Sequence, residues 1–293
     1  MLRRLLIIGS LLLLLTALRV GRARQDGPSE IRQLQTVAES SGYKATSTYA
    51  DVVQLIDAMA DASPLAHRLD IGATVENRAI PMLVLADPAV ATPEEAAERE
   101  KLVVLLIGNI HAGEVAGKEA LLMLARDVLG GDDRDLLEHL ILLIVPIYNA
   151  DGNERFGKDN RPGQVGPEEG MGVRPNAQGL DLNRDFGKMD APETRALVRV
   201  MRKWNPDVFI DTHTTNGSFH RYLITYTGPK APAGDRALID YARDTMMPRI
   251  SAALKERTGY DSFFYGNFNR DHAQWESFPA EARYGTTYFG LRN

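Results

Sequence analysis

Cysteine is absent from all 293 residues. That absence excludes a disulfide framework, thiolate metal ligands, a cysteine nucleophile and a thioether lipid anchor. Any metal must therefore be held by histidine, aspartate or glutamate, and only six histidines are available. An excess of positive charge is also missing: the formal net charge is −5, and no basic stripe with interleaved aromatics follows residue 25. Nucleic acid is not an expected partner. Internal repeats, blocks of like charge and low-complexity tracts are lacking too, which rules out collagenous, solenoid and polyelectrolyte classes. What remains is 44% hydrophobic and 25% charged residues, a composition suited to a compact, enzyme-sized fold.

The one long apolar run lies at the start. Met1 to Arg4 carries two arginines, and Leu5 to Leu18 is almost unbroken aliphatic sequence. As a helix it would span about 21 Å, short of the roughly 30 Å hydrocarbon core of a bilayer. Residues 1–24 are read as a signal peptide or N-terminal membrane anchor, with residues 25–293 as the catalytic domain. The protein is expected to be exported, periplasmic or secreted, and held at a membrane only if that segment stays uncleaved.

Downstream, short aliphatic runs alternate with helical spacing. Thr48 to Asp61 places Val52, Val53, Leu55, Ile56 and Met59 at helical intervals before Ser63-Pro64. Pro81–Ala86, Leu102–Ile107, Leu140–Ile147 and Val208–Ile210 read as buried strands. Helices are expected over Lys118–Leu129, stopped by Gly130-Gly131, and over Glu193–Trp204, stopped by Asn205-Pro206. This alternation predicts an α/β domain with a largely parallel central sheet, whose chemistry collects where strands end.

The residues with chemistry stand at those ends. Gly108-Asn109-Ile110-His111-Ala112-Gly113-Glu114 follows one strand, Tyr148-Asn149-Ala150-Asp151-Gly152 another, and Asp211-Thr212-His213 a third. A polar, Gly-rich loop leads to Leu180-Asp181-Leu182-Asn183-Arg184. Two histidines and one carboxylate form the ligand count of a catalytic zinc site with an open fourth position. His67, His139, His220 and His272 lack a nearby carboxylate and read as surface or loop residues. Asn216-Gly217-Ser218 matches a glycosylation acceptor inside the proposed site and reads as fortuitous.

With these motifs the chain resembles the zinc carboxypeptidases of the carboxypeptidase A type, from about Ser41 onward. The resemblance implies His111, Glu114 and His213 as ligands of one zinc ion, and Asp181 as the carboxylate that orients His111. Arg174 matches the arginine that polarises the scissile carbonyl, and Asn183 with Arg184 the pair that grips a substrate's terminal carboxylate. Ala150 replaces the proline of the family's Asn-Pro-Asp-Gly turn. The implied fold is a mixed sheet of about eight strands between helices. The implied activity is hydrolysis of the C-terminal peptide bond of peptides by metal-activated water. An amide or ester deacylase and a noncatalytic peptide-binding relative are the alternatives.

One element of the pattern is not found. The family's general-base glutamate stands on a late strand, whereas this chain stops in Tyr288-Phe289-Gly290-Leu291-Arg292-Asn293. The domain is expected to be truncated in a strand, with the base beyond Asn293. Glu276 and Glu281 are the carboxylates of the right type in the last segment. Tyr284, then Tyr288, are the candidates for the substrate-capping tyrosine.

Overall fold

In a computed structural model, residues 28–215, 220–268, 271, 273–277 and 279–292 are described. Residues 1–24, expected to be a signal peptide or N-terminal membrane anchor, lie outside them, as do Asn216–Ser218 and His272. The described residues fall into two compact units, 28–215 and 220–292.

The first unit is built on a five-stranded sheet of β1 (Ala66–Ala73), β2 (Ala79–Leu85), β3 (Leu102–Ile107), β4 (Leu140–Val145) and β5 (Val208–Asp211). The spatial order is β1-β2-β4-β3-β5. β3 pairs in parallel with both β4 and β5, whereas β2 is antiparallel to β1 and to β4. Four strands thus share one direction and only β2 is reversed, a mixed and mostly parallel sheet as expected. The register sets Leu105 beside Leu143 and Phe209, and Ile107 beside Val145 and Asp211.

Local chemistry explains the helices. Helix α1 (Tyr49–Ala62) starts at a capping box, in which the Thr48 hydroxyl accepts from the Asp51 amide and Asp51 accepts from the Thr48 amide. Its Val52, Ile56 and Met59 are fully buried. Helix α2 (Val115–Gly130) stops at Gly131, whose φ of 102° is open to glycine without strain. Helix α3 (Pro192–Trp204) begins with proline in its first turn and ends at left-handed Asn205.

One core cluster joins Val52, Ile56 and Met59 of α1 and Leu121, Leu122 and Val128 of α2 to Leu83, Leu85, Val104, Leu106, Leu142 and Ile144 of the sheet. The alternate residues Val84, Leu105, Ile107, Leu143 and Val145 are equally buried outside that cluster. A sheet buries both sets only when both faces are covered, and such strands read as continuous aliphatic runs. Helix α3 packs against β1 and buries Ala196, Leu197, Val200 and Met201. Contact there is close, since a Cβ on Gly72 would come within 2.8 Å of the Ala196 Cβ. β1 was not anticipated. It is an edge strand that carries His67, Arg68 and Asp70, so it lacks the aliphatic run that marks its neighbours. His67, expected in a loop or on the surface, is a partly buried residue of this strand.

Helix α2 also buries Lys118 completely. Its ammonium donates to the Ser47 carbonyl and to Asn153 Oδ1, and burial pushes its pKa down to about 8. Below pH 8 the amine is charged whether folded or unfolded. Between there and the ordinary lysine value of 10.5, the unfolded chain holds the proton and the folded chain does not. Stability is therefore expected to rise with pH across that window. Denaturant unfolding at pH 8 and pH 10 checks this, and Lys118→Met should remove the rise. Equal slopes in the two proteins would count against it.

The second unit holds a parallel pair, β6 (Ile224–Tyr226) with β7 (Ser262–Phe264), and an antiparallel pair, β8 (Gly266–Phe268) with β9 (Trp275–Ser277). Between β6 and β7 lies helix α4 (Met247–Thr258), and the described chain closes on α5 (Gly285–Arg292). The final run was expected to be a strand and is a helix. Gly285 and Gly290 are its buried residues, and Gly290 packs near Pro229. Glu276, not anticipated in a strand, lies exposed on β9. Tyr284 donates its hydroxyl to Glu281 Oε1 at 2.7 Å. Among the described residues no helix is long and apolar enough to cross a membrane.

Candidate metal centre

Three loops leave the carboxyl ends of β3, β4 and β5 on one edge of the sheet. Loop 108–114 makes the tightest turn. Asn109 takes a φ of 65° and donates from its side chain to the Ala112 carbonyl at 3.1 Å. The Glu114 amide closes the turn on the His111 carbonyl at 2.9 Å. His111 and Glu114 are thereby brought to one side, each 3% exposed. The third residue comes from the segment just after β5, where Thr212 bonds the Ile107 carbonyl through both its amide and its hydroxyl. A Cβ on Gly117 would overlap the Thr212 hydroxyl at 2.0 Å, so glycine is required for α2 to lie against this strand end.

His111, Glu114 and His213 converge, with one ligand atom from each within 4.8 Å of the others. His111 Nδ1 lies 2.9 Å from Glu114 Oε1 and His213 Nδ1 lies 2.8 Å from Glu114 Oε2. The far ring nitrogens face carboxylates as well. His111 Nε2 is 3.0 Å from Asp181 Oδ1, and His213 Nε2 is 2.9 Å from Asp211 Oδ2. Asp181 was anticipated as the partner of His111. Asp211 was not assigned this role, although residues i and i+2 of an extended segment point the same way, so Asp211-Thr212-His213 carried the signal.

Those contacts concentrate charge at one place. Each ring places one nitrogen on the shared Glu114 carboxylate and the other on an aspartate. Burial alone depresses an imidazole pKa, but Asp211 and Glu114 outweigh it and push His213 up to about 10. Burial likewise opposes ionisation of Glu114, yet the two histidines hold its carboxyl far below the usual range. Asp181 is also held low, against burial, first by His111 and then by Arg174. A divalent cation held by the two Nδ1 atoms and the Glu114 carboxylate would bring positive charge to a place where three carboxylates gather. The Nε2 protons would stay on Asp181 and Asp211, the outer hydrogen bonds that fix a ligating imidazole's tautomer. The donor set thus fits zinc.

Arg174 lies beside this group. Its Nε and Nη2 bind Asp181 Oδ2 at 2.9 and 2.8 Å, and its Nη1 stands 3.3 Å from His111 Nδ1 and 3.8 Å from Glu114 Oε1. The 149–152 turn sets that position. Asn149 Oδ1 accepts from the Gly152 amide at 3.0 Å, while its Nδ2 donates to the Arg174 and Pro175 carbonyls at 3.3 and 3.2 Å. Asp151, fully buried, is tied to Thr74 and Arg78 at 2.7 Å each. Backbone bonds from Val173 to Gly152 and from Ala112 to Val173 thread the arginine segment between this turn and the metal turn. The Asn183 amide lies 3.2 Å from His213 Nε2, and Arg184 Nη1 donates to the Asn183 carbonyl at 2.8 Å. His111, Glu114, His213, Asp181, Arg174, Asn183 and Arg184 are therefore linked in one constellation. Tyr284, Tyr288, Glu276 and Glu281 belong to the other unit. Arg161, which donates to Glu114 Oε1 at 2.8 Å, was missed.

A sequence profile described as zinc carboxypeptidase matches residues 52–277. The chain belongs to the zinc carboxypeptidase family. Among curated relatives it is 31% identical over 177 residues to carboxypeptidase D of Mus musculus, covering 51% of this chain and 13% of that protein. It is 34% identical over 155 residues to carboxypeptidase Z of the same species, covering 48% of this chain and 21% of the relative. The fold is similar to a putative carboxypeptidase from Burkholderia mallei, with a TM-score of 0.60 and 20% identity, covering 84% of this chain and 56% of that one. A metallo-carboxypeptidase from Burkholderia cenocepacia gives a TM-score of 0.59 at 21% identity, with 84% and 57% covered. The chain spans well under two thirds of each of these proteins.

Proposed function

We propose that this chain carries the catalytic centre of an exported zinc metallocarboxypeptidase that hydrolyses the C-terminal peptide bond of peptides. The observation behind this reading is the His111, Glu114 and His213 cluster, whose two imidazoles each rest on a carboxylate while Arg174 and the Asn183–Arg184 pair stand alongside. Membership in a hydrolase family agrees with it. A zinc ion held by these three residues would supply a Lewis acid that acidifies water.

The remaining work falls to the chain itself. Asp181 and Asp211 keep the protons of His111 and His213 on Nε2 and leave Nδ1 free to ligate. Arg174, anchored by Asp181, offers Nη1 to the carbonyl oxygen as negative charge develops there. Arg184 presents a planar guanidinium that matches a carboxylate, and Asn183 adds an amide donor. Together they hold the substrate's C-terminus so that the last peptide bond lies at the metal.

Peptides with a free C-terminal carboxylate should be cleaved and their amidated counterparts turned over poorly. Arg184→Ala should erase that discrimination, because loss of one partner of a desolvated charge pair costs on the order of 2 kcal/mol. Equal rates on both peptide forms would remove the exopeptidase reading. A rate that falls as the peptide lengthens would favour the deacylase, whose pocket is closed where a peptidase groove continues.

A further inference from the structure

Between the 149–152 turn and Arg174 runs a loop whose base is closed by a bridge between Gly157 and Met171. Asn160 braces it, donating to the Arg155 and Met171 carbonyls at 2.8 Å each. Its tip makes two long-range contacts. Arg161, in the left-handed region with a φ of 54°, sends a side chain only 10% exposed to Glu114 Oε1 at 2.8 Å. Gln164, whose amide bonds the Arg161 carbonyl at 2.8 Å, donates from its side chain to Thr214 Oγ1 at 3.1 Å and to the Thr215 carbonyl. Thr214 in turn donates its amide to Glu114 Oε2 at 3.0 Å. Both oxygens of the Glu114 carboxylate are thus held from outside the pair of imidazoles.

The metal turn is shaped for this approach. A Cβ on Gly113 would stand 2.5 Å from Arg161 Cγ and 2.7 Å from the Gly172 carbonyl oxygen. Glycine between His111 and Glu114 is what leaves room for the arginine stem to cross the turn.

We propose that Arg161 is a positioning residue of the metal centre: its guanidinium fixes the Glu114 carboxylate, and loop 157–171 straps the Glu114 and His213 segments at one spacing. This rests on the reading of the His111, Glu114 and His213 cluster as a zinc site. Two effects of Arg161 on a bound dication oppose each other. Its charge repels the ion, and its hydrogen bond keeps Glu114 from turning away. Outer partners of ligating side chains typically contribute about 10- to 100-fold to metal affinity, so orientation outweighs repulsion at this centre.

The test is zinc affinity, read by competition with a chromophoric chelator on metal-stripped full-length chain. Wild type, Arg161→Met and Arg161→Lys are compared, with folding confirmed by circular dichroism. Arg161→Met should bind zinc about 10- to 100-fold more weakly than wild type. Arg161→Lys, which keeps the charge and loses the planar fork, should fall between them. If Arg161→Met does not fold, the lysine variant decides alone, and affinity equal to wild type overturns the proposal. Affinity in Arg161→Met equal to or tighter than wild type overturns it as well, even where thermal stability falls, since that is the mark of a merely structural arginine. A wild-type chain that takes up no zinc defeats the metal reading itself, and with it any positioning role for Arg161.

Discussion

Replacement of Glu114 by alanine is expected to abolish stoichiometric zinc binding and, with it, peptide hydrolysis. Glu114 is the only anionic ligand of the cluster, and the two imidazoles are neutral when they ligate through Nδ1. Without its charge, a dication in this buried place would be compensated only by Asp181 and Asp211, each one imidazole away. A charge so poorly paired at a buried site is strongly disfavoured. The carboxylate is also the hub of the surrounding bonds, accepting from Arg161 at 2.8 Å and from the Thr214 amide at 3.0 Å. Alanine therefore removes the acceptor of two partly buried donors, and the metal-free variant should unfold more easily than wild type. Glu114→Gln separates the two effects, because it keeps an acceptor oxygen and removes the charge. Metal analysis on purified protein should give about one zinc per wild-type chain and none in either variant. His111→Ala should behave the same way. Wild-type occupancy in Glu114→Ala or Glu114→Gln would eliminate the cluster as the metal site.

How much of this was legible before the structure follows from where each residue sits. Leu102–Ile107 and Leu140–Val145 were readable as strands because both faces are buried, which demands unbroken aliphatic sequence. The same rule hid β1, an edge strand in which Arg68 and Asp70 face each other in an ion pair at 3.0 Å. At the far end, the run from Tyr288 looked like a strand by residue type, yet it lies in the helix Gly285–Arg292. In the site, His111 and Glu114 were visible because one tight turn supplies both, and Asp211 was visible in principle because it shares a strand end with His213. Arg161 left no such trace. It stands 47 residues from Glu114 in a polar loop without periodicity, and its meaning lies in the missing side chain of Gly113. Residues that act by closing a loop over a site are defined by the fold, not by local pattern.

Arg174→Ala is expected to lower kcat by about 10²- to 10³-fold, with KM little changed and zinc content unaltered. The expectation follows from how the guanidinium is held. Two of its nitrogens are spent on Asp181 Oδ2, leaving Nη1 near the metal turn, 3.3 Å from His111 Nδ1. A donor fixed in that way needs no reorganisation when charge appears on the carbonyl oxygen, and its benefit comes in the transition state rather than in the bound substrate. Removing it should therefore act on kcat. Arg174→Lys offers a single ammonium that can bind Asp181 or reach the carbonyl but lacks the span to do both, so it should recover only part of the rate. Asp181→Asn should resemble it in part, because the anchor is weakened while the guanidinium stays. The decisive measurement is the split between kcat and KM on one free-acid peptide, alongside zinc content for each variant. A rise in KM with kcat unchanged would place Arg174 in ground-state binding, as a second grip on the substrate carboxylate, and would leave the developing charge to the metal alone.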